Sequence, residues 1–157
     1  MLIGETIVTS ISEILNKAAE RGRKMNLPYG GALLPQEAYE LMQKAPGARL
    51  VDVRTEAEWD YVGRIPGSVQ IEWQTYPGSK PNPNFLNELQ AQTDKQAVVM
   101  FLCRSGARSH AAAALAAQAG YSHSYNVLQG FEGDRDAGGH SNSVGGWRVA
   151  GLPWVQS

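Results

Sequence analysis

Ala97-Val98-Val99-Met100-Phe101-Leu102-Cys103-Arg104-Ser105-Gly106-Ala107-Arg108-Ser109 is the stretch that decides the architecture. Its first six residues are apolar without a break, as expected of a central parallel strand covered on both faces. Ser109 to Gln118 is alanine-rich and helix-forming, and Gly120 can cap its end. Cys103 to Arg108 therefore forms a short loop at the carboxyl end of a buried strand. Open α/β sheets bind their ligands at that end.

The rest of the chain reads as further turns of the same pattern. Arg49 to Val53 is a strand, preceded by a helix that opens at Leu34-Pro35-Gln36-Glu37, buries Ala38, Leu41 and Met42, and stops at Pro46-Gly47. Thr55 and Glu58 form a capping box for a short helix through Trp59 and Tyr61. Gly63 and Pro66-Gly67 turn the chain into a short strand over Ser68 to Ile71. Tyr76 to Asn84 is turn chemistry throughout and reads as a surface loop before a helix holding Phe85, Leu86 and Leu89. Ser124 to Val127 is a last strand, and Ala32 to Leu34 a short first one. Alternating strands and helices imply an α/β fold: an open, mainly parallel sheet with helices on both faces. Ser10 to Glu20 adds an amphipathic N-terminal helix, with Ser10 and Glu13 as its capping box and Arg21, Arg23 and Lys24 at its cation-favouring end. The expected division is a helical extension over residues 1–30 and one domain over 31–157, without internal repeats.

Bulk properties exclude whole classes of function. The chain has 157 residues, 43% of them apolar and 18% charged, which suits one soluble domain. A formal net charge of −1 leaves no basic excess for nucleic acid. The four tryptophans, Trp59, Trp73, Trp147 and Trp154, then read as core or pocket-rim residues and not as a base-stacking platform. No apolar run approaches the roughly 20 residues of a membrane span, and the first residues do not resemble a signal peptide, so the expected location is the cytoplasm. A single cysteine forms no internal disulfide, and no zinc-ligand cluster accompanies it, so no metal and no cofactor are expected. Asp134 and Asp136 read as solvated loop carboxylates.

Cys103 carries the chemistry. A strand-to-helix loop aims several backbone N–H groups inward, the helix start adds its positive dipole end, and Arg104 and Arg108 add charge. Each favours thiolate, the reactive form of cysteine. Gly106 lets the loop curl tightly because it tolerates positive φ. A cysteine at a strand end can also be mere packing. Packing does not explain two arginines beside a helix N-terminus, where an anion must compensate them.

Cys103-Arg104-Ser105-Gly106-Ala107-Arg108-Ser109 resembles the active-site loop of rhodanese-like sulfurtransferases. Asp52-Val53-Arg54, followed by Glu56 and Trp59, is similar to that family's D-V-R-x-x-x-E-[FW] stretch. Gly63-Arg64-Ile65-Pro66-Gly67-Ser68 is similar to its G-H-I-P-G-A turn, with Arg64 in place of histidine and Ser68 in place of alanine. Gly130-Phe131-Glu132-Gly133 and Gly151-Leu152-Pro153 resemble its closing segment, so the match runs in order from about Leu33 to Val155. The resemblance implies a five-stranded sheet and a Cys103 that accepts a sulfane sulfur from a donor such as thiosulfate. A thiol, cyanide or a protein would then take the sulfur away. It further implies that the loop from Arg104 through Ser105, Gly106, Ala107, Arg108 and Ser109 holds the anionic donor, and that Asp52 and Arg54 brace the site. Asp134 to Gly146 departs from the pattern as an insertion. Its glycines and serines make it a candidate lid or docking loop beside Cys103.

Three other functions compete. A cysteine-based phosphatase or arsenate reductase also cradles an oxyanion over a cysteine, but its signature is C-x5-R and the spacing here is C-x4-R. A non-catalytic binding module of the same fold is another; such modules commonly lack the cysteine that this chain keeps. A cysteine hydrolase needs a histidine base, and His110, His123 and His140 show no partner signature.

Overall fold

The computed structural model describes residues 2–142 and 144–156, with side chains from Ser10 onward. In chain order the elements are α1 (Leu2–Lys24), β1 (Gly31–Leu33), α2 (Pro35–Lys44), β2 (Arg49–Asp52), α3 (Glu56–Tyr61), β3 (Val69–Gln70), β4 (Gln74–Thr75), β5 (Lys80–Pro81), α4 (Phe85–Gln92), β6 (Val99–Leu102), α5 (Ala107–Gln118) and β7 (Ser124–Val127). Five strands form one sheet in the order β1-β7-β6-β2-β3, every pair parallel. The expected α/β architecture is present, with the Val99–Leu102 strand at its centre and all four residues of that strand buried.

Side chains alternate across a strand, so successive residues of β6 enter different cores. Met100 and Leu102 join Leu50, Leu33 and Val127 in a layer completed by Ala18 of α1, Ala38 and Leu41 of α2, and Trp147. Val99, Phe101 and Cys103 face the other way, into a layer with Phe85 and Leu89 of α4 and Ala112, Ala113 and Ala116 of α5. The alanines let α5 lie close to the sheet. Cys103 therefore continues the α5 face of the strand, and its side chain is only 1% exposed.

The N-terminal helix differs from the reading of the sequence at its start. α1 begins well before Ser10, so Ser10 is inside it and caps nothing. Its hydroxyl instead donates to Glu40 Oε2 of α2 at 2.7 Å. The helix is built into the core through Ile14 and Ala18. It approaches β1 so closely that a side chain on Gly31 would collide with the Ala18 carbonyl. Arg21 fastens it further, donating to both oxygens of Glu37 at 2.7 and 2.9 Å and to the Ala32 carbonyl at 3.0 Å.

The stretch from Tyr76 to Asn84 is not only loop. Lys80–Pro81 pairs antiparallel with Gln74–Thr75, making a small ribbon beside α3. Proline tolerates this place because a two-stranded ribbon leaves edge positions that need no N–H donor.

Candidate active site

Thr55 opens α3 as the sequence implies. Its Oγ1 accepts from the Glu58 amide at 3.2 Å, while Glu58 Oε1 accepts from the Thr55 amide at 3.1 Å. The same carboxylate reaches the Cys103 loop: Arg108 Nη1 donates to Oε1 at 2.6 Å and Nη2 to Oε2 at 2.9 Å. Burial pushes the Glu58 carboxyl up, but the Arg108 hydrogen bonds and charge outweigh it and hold the group below its ordinary range. Glu58 is thus the anion that compensates an arginine at the α5 N-terminus. Glu56, singled out from the sequence, is exposed instead; the motif's carboxylate is two residues further on.

Cys103 lies just past β6 with its sulfur turned under the loop. The Gly106 amide donates to Sγ at 3.1 Å, and Gly106 takes φ of 123°, a conformation that a residue with a Cβ rarely adopts. An N–H aimed at sulfur stabilises negative charge there. Ser109 Oγ lies 3.3 Å from Sγ. Ser109 also donates to Asn126 Oδ1 at 2.6 Å and faces the Gly106 carbonyl at 3.2 Å. One hydroxyl proton cannot serve all three, so Ser109 can accept from a thiol or turn its proton to an anionic sulfur. Asn126 Nδ2 meanwhile donates to the Gly106 carbonyl at 3.3 Å.

The sequence reading missed Asn126. Its signal was a buried amide in the otherwise simple strand Ser124–Val127, one strand away from β6 at the level of Phe101. The importance of Gly130 was also hidden. A Cβ there would strike the Cys103 and Arg104 carbonyls. The absence of that atom lets the backbone close in, so that the Phe131 amide donates to the Cys103 carbonyl at 2.8 Å and the Glu132 amide to the Arg104 carbonyl at 2.9 Å.

Asp52 and Arg54 are both fully buried behind this loop. Arg54 Nη2 donates to Asp52 Oδ2 at 2.7 Å and to the Gly63 carbonyl at 2.8 Å, and its guanidinium lies 4.2 Å from the centre of the Phe131 ring. The pair joins the end of β2 to the segment that holds the Cys103 carbonyl. Arg104, Ser105 and Gly106 are half-buried and Ala107 is exposed on the mouth of the loop, while Ser109 is buried beneath it. Among the described residues Arg104 has no hydrogen-bonded or ionic side-chain partner, so it is the uncommitted cation of the two. His110 is exposed, its Nδ1 2.7 Å from the Tyr29 hydroxyl. Burial pushes that phenol up to about 12, with the Asn126 side chain opposing in part.

The chain enters the insertion from beside this loop, since the Glu132 amide, two residues before Asp134, donates to the Arg104 carbonyl. Its two ends meet backbone to backbone, with Gly133 against Gly145. Asp136 closes a turn within it, accepting from the Gly138 and His140 amides at 2.9 and 2.8 Å. No helix of the described residues is long and apolar enough to cross a membrane, and those residues gather no three-member group of His, Cys, Asp or Glu that could hold a metal ion.

Comparison with known proteins gives a consistent result. The family model for the rhodanese-like domain matches residues 34–137. The crystal structure of Rv0390 from M. tuberculosis superposes with a TM-score of 0.75 at 46% identity, covering 82% of this chain and 99% of that one. An uncharacterized protein of Rickettsia rickettsii is 38% identical over 120 residues, covering 75% of this chain and 91% of its own. The thiosulfate sulfurtransferase GlpE of Actinobacillus succinogenes is 30% identical over 121 residues, covering 77% of this chain and 86% of its own.

Proposed function

Because this chain belongs to the rhodanese-like family, we propose that it is a sulfurtransferase that carries a sulfane sulfur as a persulfide on Cys103. The observation that carries this reading is the sulfur cradle: one cysteine, held at a strand end, with the Gly106 amide on its Sγ and the Ser109 hydroxyl beside it. With thiosulfate as donor, the Cys103 thiolate attacks the outer sulfur. The S–S bond of thiosulfate breaks, sulfite leaves with that bond's electron pair, and Cys103–S–S⁻ remains. An acceptor such as cyanide or a thiolate then attacks the outer sulfur of the persulfide. The sulfur leaves on the acceptor and the Cys103 thiolate returns. No oxidant is consumed, and no cofactor has a step to perform.

Each part of the loop has a task in this cycle. The Gly106 amide holds charge on Sγ before attack, and the neighbouring loop amides receive the outer sulfur after it. Arg104, unpaired at the mouth, meets the anionic donor. Arg108 is already held by Glu58 and fixes the loop's far end. That commitment also weighs against a phosphatase, whose arginine must grip the phosphoryl oxygens itself, and the loop is one residue short of the phosphatase spacing.

Mass spectrometry after exposure to thiosulfate tests the proposal. The protein should gain the mass of one sulfur, lost again on addition of cyanide. Cys103→Ser should fold as the parent does, gain nothing, and release no thiocyanate. Thiocyanate release by that variant at the parent rate would end the proposal.

A further inference from the structure

The surroundings of Cys103 are completed by a residue outside the segment that matches the family model. Tyr29 stands between α1 and β1, shortly before that segment begins at residue 34. The Leu27 amide donates to the Gly22 carbonyl at 2.9 Å and the Gly30 amide to the Ser124 carbonyl at 2.8 Å, so the backbone on either side of Tyr29 is tied to α1 and to β7. Its ring packs edge-on against His110, with centroids 5.3 Å apart, and its hydroxyl lies 2.7 Å from His110 Nδ1. The Asn126 side chain meets the same hydroxyl and favours its ionised form. His110 follows Ser109 on α5, and Asn126 is bonded to Ser109. Tyr29 therefore touches both neighbours of the hydroxyl that lies beside Sγ.

The protons along this path have one consistent placement. Ser109 makes its shortest contact, 2.6 Å, with Asn126 Oδ1, so its proton lies there and its lone pairs face Sγ. Asn126 Nδ2 gives one of its two protons to the Gly106 carbonyl at 3.3 Å. The other is free for the Tyr29 oxygen, in keeping with an amide that favours the ionised phenol. Tyr29 then donates its own proton to His110 Nδ1. That proton stays on the phenol at neutral pH, since burial pushes the group up to about 12. Turning the amide over would set its carbonyl against the Gly106 carbonyl and release the Ser109 proton toward Sγ.

We propose that Tyr29 is a positioning residue for Cys103: by holding the Asn126 amide it turns the Ser109 lone pairs, and not the Ser109 proton, toward Sγ. This rests on the sulfurtransferase reading for the use to which Cys103 is put. A thiolate with one donor fewer is more basic, and a more basic thiolate is the better nucleophile and the poorer leaving group. Tyr29 thus favours capture of sulfur over its release.

The test is Tyr29→Phe, which removes one oxygen, keeps the ring against His110 and leaves Asp52, Arg54, Glu58, Arg104 and Arg108 in place. The chain has one cysteine, so alkylation by iodoacetamide reports on Cys103 alone. The pH of half-maximal alkylation should fall by about half a unit to one unit, the worth of one hydrogen bond to the thiolate. The limiting rate at high pH should fall about two- to threefold. At a pH above both midpoints, capture of sulfur from thiosulfate should slow and discharge of the persulfide to cyanide should quicken, each by about two- to threefold, as followed by mass spectrometry. In a Ser109→Ala background Tyr29→Phe should move none of these, because the hydroxyl that carries the effect is gone. An unmoved or higher alkylation midpoint in Tyr29→Phe, or the same shift in the Ser109→Ala background, overturns the inference. If the parent captures no sulfur, the sulfurtransferase reading falls, and the alkylation midpoint still decides the role of Tyr29.

Discussion

Each oxygen of Glu58 meets one nitrogen of Arg108, and Oε1 also accepts from the Thr55 amide, so a single carboxylate starts α3 and fixes the Cys103 loop. Its folded-state pKa lies below the ordinary value of 4.5. A carboxyl shifted down contributes stability that is present above its unfolded pKa and lost as pH falls through the folded one. Glu58→Gln keeps the shape and part of the capping box but removes the charge. At neutral pH it should cost on the order of 1–2 kcal/mol, since the pair is partly open to solvent and a fully buried charge-assisted bond would be worth more. Between about pH 5 and 3 the variant should lose less stability than the parent, and the two urea midpoints should converge. Midpoints that stay parallel over that range would show that the ion pair contributes nothing. Arg108 itself was legible in the sequence as a residue in need of an anion. Which anion was not, because Glu58 is 50 residues away and only the fold brings it near.

At the scale of elements, the contact between α1 and β1 depends on small residues. Ala18 is fully buried and Gly31 has no room for a side chain against it. Gly31→Ala should therefore destabilise the protein by about 1–3 kcal/mol through overpacking, read as a lower urea midpoint with an unchanged slope. An unchanged midpoint would mean that the helix does not sit against the strand in solution. The central strand could be read from the sequence, because the apolar run ending in Val99–Leu102 is too short for a buried helix and carries β-branched and aromatic residues. The true start of α1 could not. Ser10 and Glu13 have the spacing of a capping box, yet that spacing is equally compatible with a helix interior, where Ser10 finds Glu40 across the gap to α2. The β4–β5 ribbon was hidden for a related reason: proline and glycine mark turns, and two-residue strands carry no periodicity to oppose them.

For the molecule as a whole, the insertion is a part whose removal asks little of the fold. Its ends already touch at Gly133 and Gly145, so replacing residues 134–144 with a short Gly-Ser turn should leave stability within about 0.5 kcal/mol of the parent, judged by urea denaturation. A larger loss would show that the excursion contributes packing to the core. The order of the sheet has a consequence of a different kind. Among the described residues β1, the first of these strands in chain order, pairs with no strand but β7, the last of them. During synthesis the Gly31–Leu33 segment and the helix seated on it have no sheet to join until Ser124–Val127 has left the ribosome. The central strands β2 and β6 can pair before that, so β1 and the face of α1 that packs on it join the sheet after strands that follow them in the chain, and that apolar helix face is what a nascent-chain chaperone would meet.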